Sequence, residues 1–245
     1  MSSRTLSYGK CFLCGETLAK SAVGRHLAKC VPAHEKAGKG RPAHLFHLRV
    51  EGRYAPAYWL HLEIPASATL LDLDDFLRAI WLECCDHLSA FTIRNVRYER
   101  DTGMVDAMWK DIFGSPWPIA SMKVKLHQVL SVGDRFTYEY DYGTTTELQL
   151  KVISKRMGFA PKGEIRLLAR NYAPDLRCEV CGRPAEVLYV FEYPYESYCE
   201  EHGLEKHGDE GLMPIVNSPR VGVCGYTGPF DESLRFEERM PVGKG

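Results

Sequence analysis

The 245 residues are 45% hydrophobic and 26% charged, with a net charge of −1. That is length for one ordinary domain plus small modules, and a composition too apolar for a disordered chain. No apolar run reaches the roughly 18 residues of a membrane span, and Met1-Ser-Ser-Arg-Thr-Leu6 is no signal-like stretch. The expectation is a cytoplasmic protein off the membrane, whose nine cysteines are thiols or metal thiolates rather than disulfides. The near-neutral total hides an asymmetry. Residues 1–43 carry eight Lys/Arg against Glu16 and Glu35, whereas residues 171–245 carry fourteen Asp/Glu against seven Lys/Arg. A basic head and an acidic tail suit different partners.

In chain order, the first feature is Cys11, Cys14, His26 and Cys30, spaced C-x2-C-x11-H-x3-C. A C-x2-C knuckle aims two thiolates at one point, and a later pair completes the tetrahedron that Zn²⁺ accepts. A helix from Ser21 as N-cap to about Lys29 places His26 and Cys30 one turn apart on one face. Four protein ligands leave no open position, so the site reads as a structural finger. Val31 to Pro42, with its prolines, glycines and lysines, reads as a basic linker, closing a first module over 1–42.

A central α+β domain is expected over 43–172. Phe46, Leu48 and Val50 alternate on one strand and Tyr58, Leu60, Leu62 and Ile64 on the next, with Gly52 to Pro56 as the turn. Thr69 and Asp72 have capping-box spacing, and Leu73, Phe76, Leu77, Ile80, Trp81 and Cys84 form the stripe of an amphipathic helix. Ser89 to Tyr98 reads as one strand, and 101–122 as a long loop or lid. Phe136 to Tyr142 and Leu148 to Val152 form a second hairpin, and Glu164 to Ala169 a last strand. The sum is a compact, mostly antiparallel sheet with one main packed helix.

The third module, 173–245, opens on Cys178, Cys181, Cys199 and His202, spaced C-x2-C-x17-C-x2-H, the pattern of a zinc ribbon. His207 is an alternative fourth ligand to His202. Residues 211–228, apolar but punctuated by glycine and proline, read as an ordered arm, neither helix nor regular strand. Two structural Zn²⁺ ions are thus expected, and no organic cofactor, since no phosphate-cradling glycine loop occurs.

At Leu48 with Trp59-Leu-His-Leu62, at Trp81 with Asp86-His-Leu-Ser-Ala-Phe91, and at Phe136-Thr-Tyr-Glu-Tyr-Asp-Tyr-Gly143, the chain resembles the plasmid pRiA4b ORF-3-like family over residues 44–170. Thr144-Thr-Thr146 stands where that family usually has aspartate-x-tryptophan. The flanking quartets and the Asn217-to-Tyr226 arm resemble a zinc-bearing subgroup. The resemblance implies the central fold and a prokaryotic, mostly uncharacterised kinship. It links the chain to passenger proteins of mobile elements, and so only loosely to nucleic acid.

Three functional readings remain. The basic head suits sequence-blind nucleic-acid binding through Lys20, Arg25 and Lys29. In a finger frame the base-facing positions fall on Ala19, Ala22 and Arg25, too poor a set for base-specific reading. The alternative is a protein–protein adaptor using the zinc modules. An enzyme would have to use Cys84, Cys85, Asp86 and His87, perhaps with the Asp72–Asp75 acidic run. Adjacent residues point different ways, however, and no catalytic residue is expected. Cys84, Cys85 and Cys224 read as buried free thiols. His44, His47 and His61 lack distinctive ligand spacing.

Overall fold

The computed structural model describes residues 7–35, 42–100, 118–159 and 165–241. By compactness these fall into two units, one of 1–77 with 87–171 and one of 78–86 with 172–245.

The first unit is built on ten strands: β1 Tyr8–Cys11, β2 Thr17–Ala19, β3 Ala43–Gly52, β4 Trp59–Pro65, β5 Ser89–Ile93, β6 Val96–Glu99, β7 Ile119–Ser121, β8 Arg135–Tyr140, β9 Thr146–Gly158 and β10 Arg166–Asn171. They form one sheet in the order β2-β1-β10-β4-β3-β9-β8-β5-β6-β7. Every pairing is antiparallel except β6 with β7. Its fold is therefore α+β, with a large, mostly antiparallel sheet and few helices.

The two hairpins expected from alternation, β3–β4 and β8–β9, are present. Ser89 to Tyr98 is not one strand but a tight hairpin, because Arg94 and Asn95 both take positive φ (47° and 64°), the two-residue turn that matches strand twist. The signal was the asparagine, masked by the apolar residues on either side. The loop expected over 101–122 lies outside the described residues as far as 117. β7 occupies the remainder.

The N-terminal quartet does not stand apart from this sheet. β1 pairs with β10, matching Gly9 with Asn171 and Cys11 with Ala169. Helix α1, Lys20–Ala33, buries Val23, Leu27, Cys30 and Val31 in a cluster with Leu18, Trp59 and Leu168. Its N-cap is Ala19 with no side-chain cap, so Ser21 lies inside the first turn rather than capping it. The helix also runs past Lys29 to Ala33.

Helix α2, Leu70–Leu77, starts as the spacing predicts: the Thr69 amide donates to Asp72 Oδ2 (2.7 Å) and the Asp72 amide to Thr69 Oγ1 (3.1 Å). A short helix α3 spans Leu126–Val129. In the second unit the chain continues as a π turn, Arg78–Leu82, and then leaves helical geometry. Glu83 accepts from Arg78 (2.5 Å) and from the Asp86 amide (2.6 Å). That satisfied turn ends the helix before Cys84.

The rest of the second unit carries strands β11 Val187–Tyr189, β12 Glu196–Tyr198 and β13 Leu212–Pro214, in the order β12-β11-β13, with helix α4 Glu200–His207. β13 is the start of the expected irregular arm and adds a strand to the ribbon. The arm then turns irregularly, anchored where Ser218 Oγ donates to the Trp81 carbonyl (2.6 Å).

Candidate metal centres

An ion bound tetrahedrally at about 2.3 Å from sulfur and about 2.05 Å from nitrogen separates two sulfurs by about 3.8 Å, and sulfur from nitrogen by about 3.5 Å. The first quartet meets those spacings. β1 delivers Cys11, the following turn Cys14, and α1 both His26 and Cys30. Cys11 Sγ lies 3.8 Å from Cys30 Sγ, and Cys14 Sγ 3.4 Å from His26 Nε2. All four ligand atoms lie within 4.8 Å of one another. The turn closes because the Gly15 amide donates to the Cys11 carbonyl (2.8 Å), with Gly15 at φ 79°, where a side chain would be strained. His26 Nδ1 faces Glu16 Oε2 at 3.4 Å, which leaves Nε2 as the metal-facing nitrogen. Burial, then hydrogen bonds with Cys14 and Cys11, push the Cys30 thiol up to about 12. The Cys30 sulfur holds its proton until a cation replaces it.

The second quartet is built likewise. Cys178 and Cys181 form the knuckle, with Gly182 at φ 69° and its amide donating to the Cys178 carbonyl (2.9 Å). Cys199 caps α4, and His202 sits in the first turn. Cys181 and Cys199 Sγ are 3.9 Å apart, and His202 Nδ1 is 3.6 Å from Cys178 Sγ and 3.2 Å from Cys199 Sγ. Burial opposes ionisation of Cys178, but backbone N–H groups of Cys199, Cys181 and Val180 outweigh it and bring that thiol down to about 5. Arg183 donates to the sulfurs of Cys181 (3.2 Å) and Cys199 (3.5 Å), a supporting role with no spacing signature in the sequence. His207 is elsewhere: it stacks on Tyr189 at 3.7 Å between ring centroids, so the cluster's imidazole is His202.

The basic residues divide. Lys20 Nζ is committed to Glu51 (3.0 Å) and the Pro56 carbonyl (2.7 Å). Arg25 and Lys29 are exposed one turn apart on α1, while Val23, Leu27 and Cys30 face inward.

The remaining candidates separate too. His47 Nε2 and His61 Nδ1 are 2.7 Å apart and buried, whereas His44 is exposed. Burial lowers His47 to about 4 and His61 well below its ordinary value, so both are neutral. Asp74 is fully buried and accepts from Ser89 Oγ (2.7 Å) and Tyr138 OH (2.6 Å), an anchor within the first unit. His87 Nδ1 lies 3.6 Å from Asp141 Oδ1. Cys85 and Cys224 are exposed and Cys84 half-buried, contrary to the expectation of buried thiols. The three sulfurs lie within 4.8 Å of one another. One signal of that gathering was legible: Cys224 precedes a glycine, as Cys14 and Cys181 do.

Among the described residues no helix is long and apolar enough to cross a membrane. The profile of the plasmid pRiA4b ORF-3-like proteins matches residues 44–170, just over half of the chain, and the chain belongs to that family. Among solved structures, a protein of unknown function from Methanosarcina mazei Go1 is 17% identical, with a TM-score of 0.41. The alignment covers 54% of this chain and 70% of that one. No curated protein matches.

Proposed function

We propose that the chain is a non-enzymatic zinc protein of the zinc-bearing kind within its family. Its two Cys₃His quartets hold structural Zn²⁺, and it binds nucleic acid through the basic head. The observation that carries the metal is the pair of tetrahedral sulfur and nitrogen spacings, supported by positive-φ glycines after Cys14 and Cys181. The nucleic-acid reading rests on Arg25 and Lys29, presented together on the outer face of α1 within a segment of surplus positive charge. Two phosphate contacts and few base-reading side chains give weak, salt-sensitive, sequence-tolerant binding. Lys20 belongs to this reading as a structural residue, since Glu51 already neutralises it.

The test is an anisotropy titration of the intact protein with mixed-sequence DNA and RNA between about 20 and 200 mM salt. Binding that weakens with salt, with a slope lowered by about two in an Arg25→Ala/Lys29→Ala variant, supports the reading. Absence of binding to either polymer at low salt and micromolar protein refutes it. The adaptor alternative has its own observation: Phe191 and Tyr193 stand 67% and 90% exposed in the ribbon's hairpin, a surface suited to a protein partner.

A further inference from the structure

We infer that Cys84, Cys85 and Cys224 form a third zinc site, at the surface and more labile than the two quartets. All three thiols belong to the second unit, are not disulfide-bonded, and bring their sulfurs within 4.8 Å of one another. Cys84 and Cys85 follow the end of the π turn, and Cys224 comes from the arm 140 positions later in the chain.

The backbone after Cys224 shares one feature with the two quartets. Glycine follows the second knuckle cysteine of each quartet in left-handed conformation, and Gly225 repeats this at φ 66°. Cys224 itself adopts φ 51°, a left-handed conformation that strains a non-glycine residue. A surrounding structure that holds a cysteine in this conformation fixes where its sulfur points. The Tyr226 amide closes the strained turn by donating to the Val223 carbonyl (3.0 Å), and upstream Ser218 Oγ anchors the arm to the Trp81 carbonyl. Arg220, fully buried, directs Nη2 at Cys84 Sγ (3.4 Å), as Arg183 does at the sulfurs of the ribbon.

Lability follows from exposure. Each quartet places two of its cysteines in the interior, whereas here Cys85 and Cys224 are exposed and Cys84 half-buried. Water and chelators reach these sulfurs first.

The site does not depend on the nucleic-acid reading, and its test separates it from the two quartets. The full chain is expressed with zinc, purified anaerobically with a reductant that does not bind metal, and weighed by native mass spectrometry. The expected result is three zinc ions in the wild type and two in Cys224→Ser and Cys85→Ser, each with unchanged circular dichroism. Brief exposure to a chelator should take the wild type from three to two. Two ions in both wild type and variants would overturn the third site and leave the quartets standing. A mass 2 Da light across Cys84, Cys85 and Cys224 would overturn it in favour of a disulfide. Should Cys224→Ser fold poorly, Cys85→Ser, on the other segment, keeps the test decisive.

Discussion

Stripping zinc should unfold the ribbon while leaving the N-terminal segment folded. Around the first quartet, Leu18, Val23, Leu27 and Val31 are buried against Trp59 and Leu168. At about 1.5–3 kcal/mol for each of the four aliphatic side chains, this packing supplies on the order of 6–12 kcal/mol that no metal is needed to maintain, as an upper estimate. β1 adds backbone pairing to β10. Around the second quartet the cluster consists of Tyr198 and the ligands Cys178 and Cys199, with Val187 and Tyr189 only partly covered. The same accounting yields about 3–5 kcal/mol there, so a ribbon that holds zinc would draw the larger share of its folding free energy from the metal. Hydrogen exchange read by mass spectrometry, before and after exhaustive chelation, measures both regions in one sample. Amides of 187–198 should exchange at nearly unfolded rates, while those of 23–31 speed up by less than about tenfold. Equal loss of protection in both regions, or protection kept in the ribbon, would refute this reasoning.

Other consequences are as definite. Gly9→Ala should destabilise the N-terminal segment strongly, because the new Cβ would lie 2.2 Å from the Arg170 carbonyl oxygen and 2.5 Å from the Trp59 ring; thermal melts and exchange at residues 8–11 would report it. Arg183→Gln should weaken zinc at the ribbon by up to about tenfold without removing a ligand, the low end for an outer-sphere partner because Arg183 is itself largely solvent-exposed; competition with a chromophoric chelator measures this. His47 is lowered to about 4 in the fold against about 6.5 unfolded, so the unfolded chain binds more protons between those values and stability is lost as the pH is lowered through them. Between pH 7 and 5 this amounts to about 2 kcal/mol, and His47→Gln with zinc kept saturating should flatten that part of the denaturant-midpoint curve. Lys20→Ala should lower the melting temperature modestly through loss of the Glu51 and Pro56 contacts, yet leave the salt slope of nucleic-acid binding unchanged.

The two Cys/His clusters were the most legible part of this chain, because a tetrahedral ion would impose its spacing on sequence: it asks for His26 and Cys30 one turn apart, and for Cys178 and Cys181 on one knuckle. Strands were legible where alternation meets a half-buried face, as at Phe136, Tyr138 and Tyr140. Alternation also found β4, Trp59–Pro65, although every residue of it is buried, so that which face meets the core was not legible there. The edge of the sheet was hidden for another reason. That β1 and β2 extend it through β10 depends on pairing across some 160 residues, which no local pattern encodes. Long-range pairing likewise concealed the approach of Cys224 to Cys84 and Cys85. Lys20 counts as one more positive charge in the sequence, and only its partner Glu51, 31 positions on, turns it into a structural residue.

Native mass spectrometry after brief chelation tests the two quartets most directly. The chain should retain two zinc ions, reduced to one by Cys11→Ala and separately to one by Cys178→Ala. A chain that retains none, or whose metal content ignores both substitutions, would contradict this.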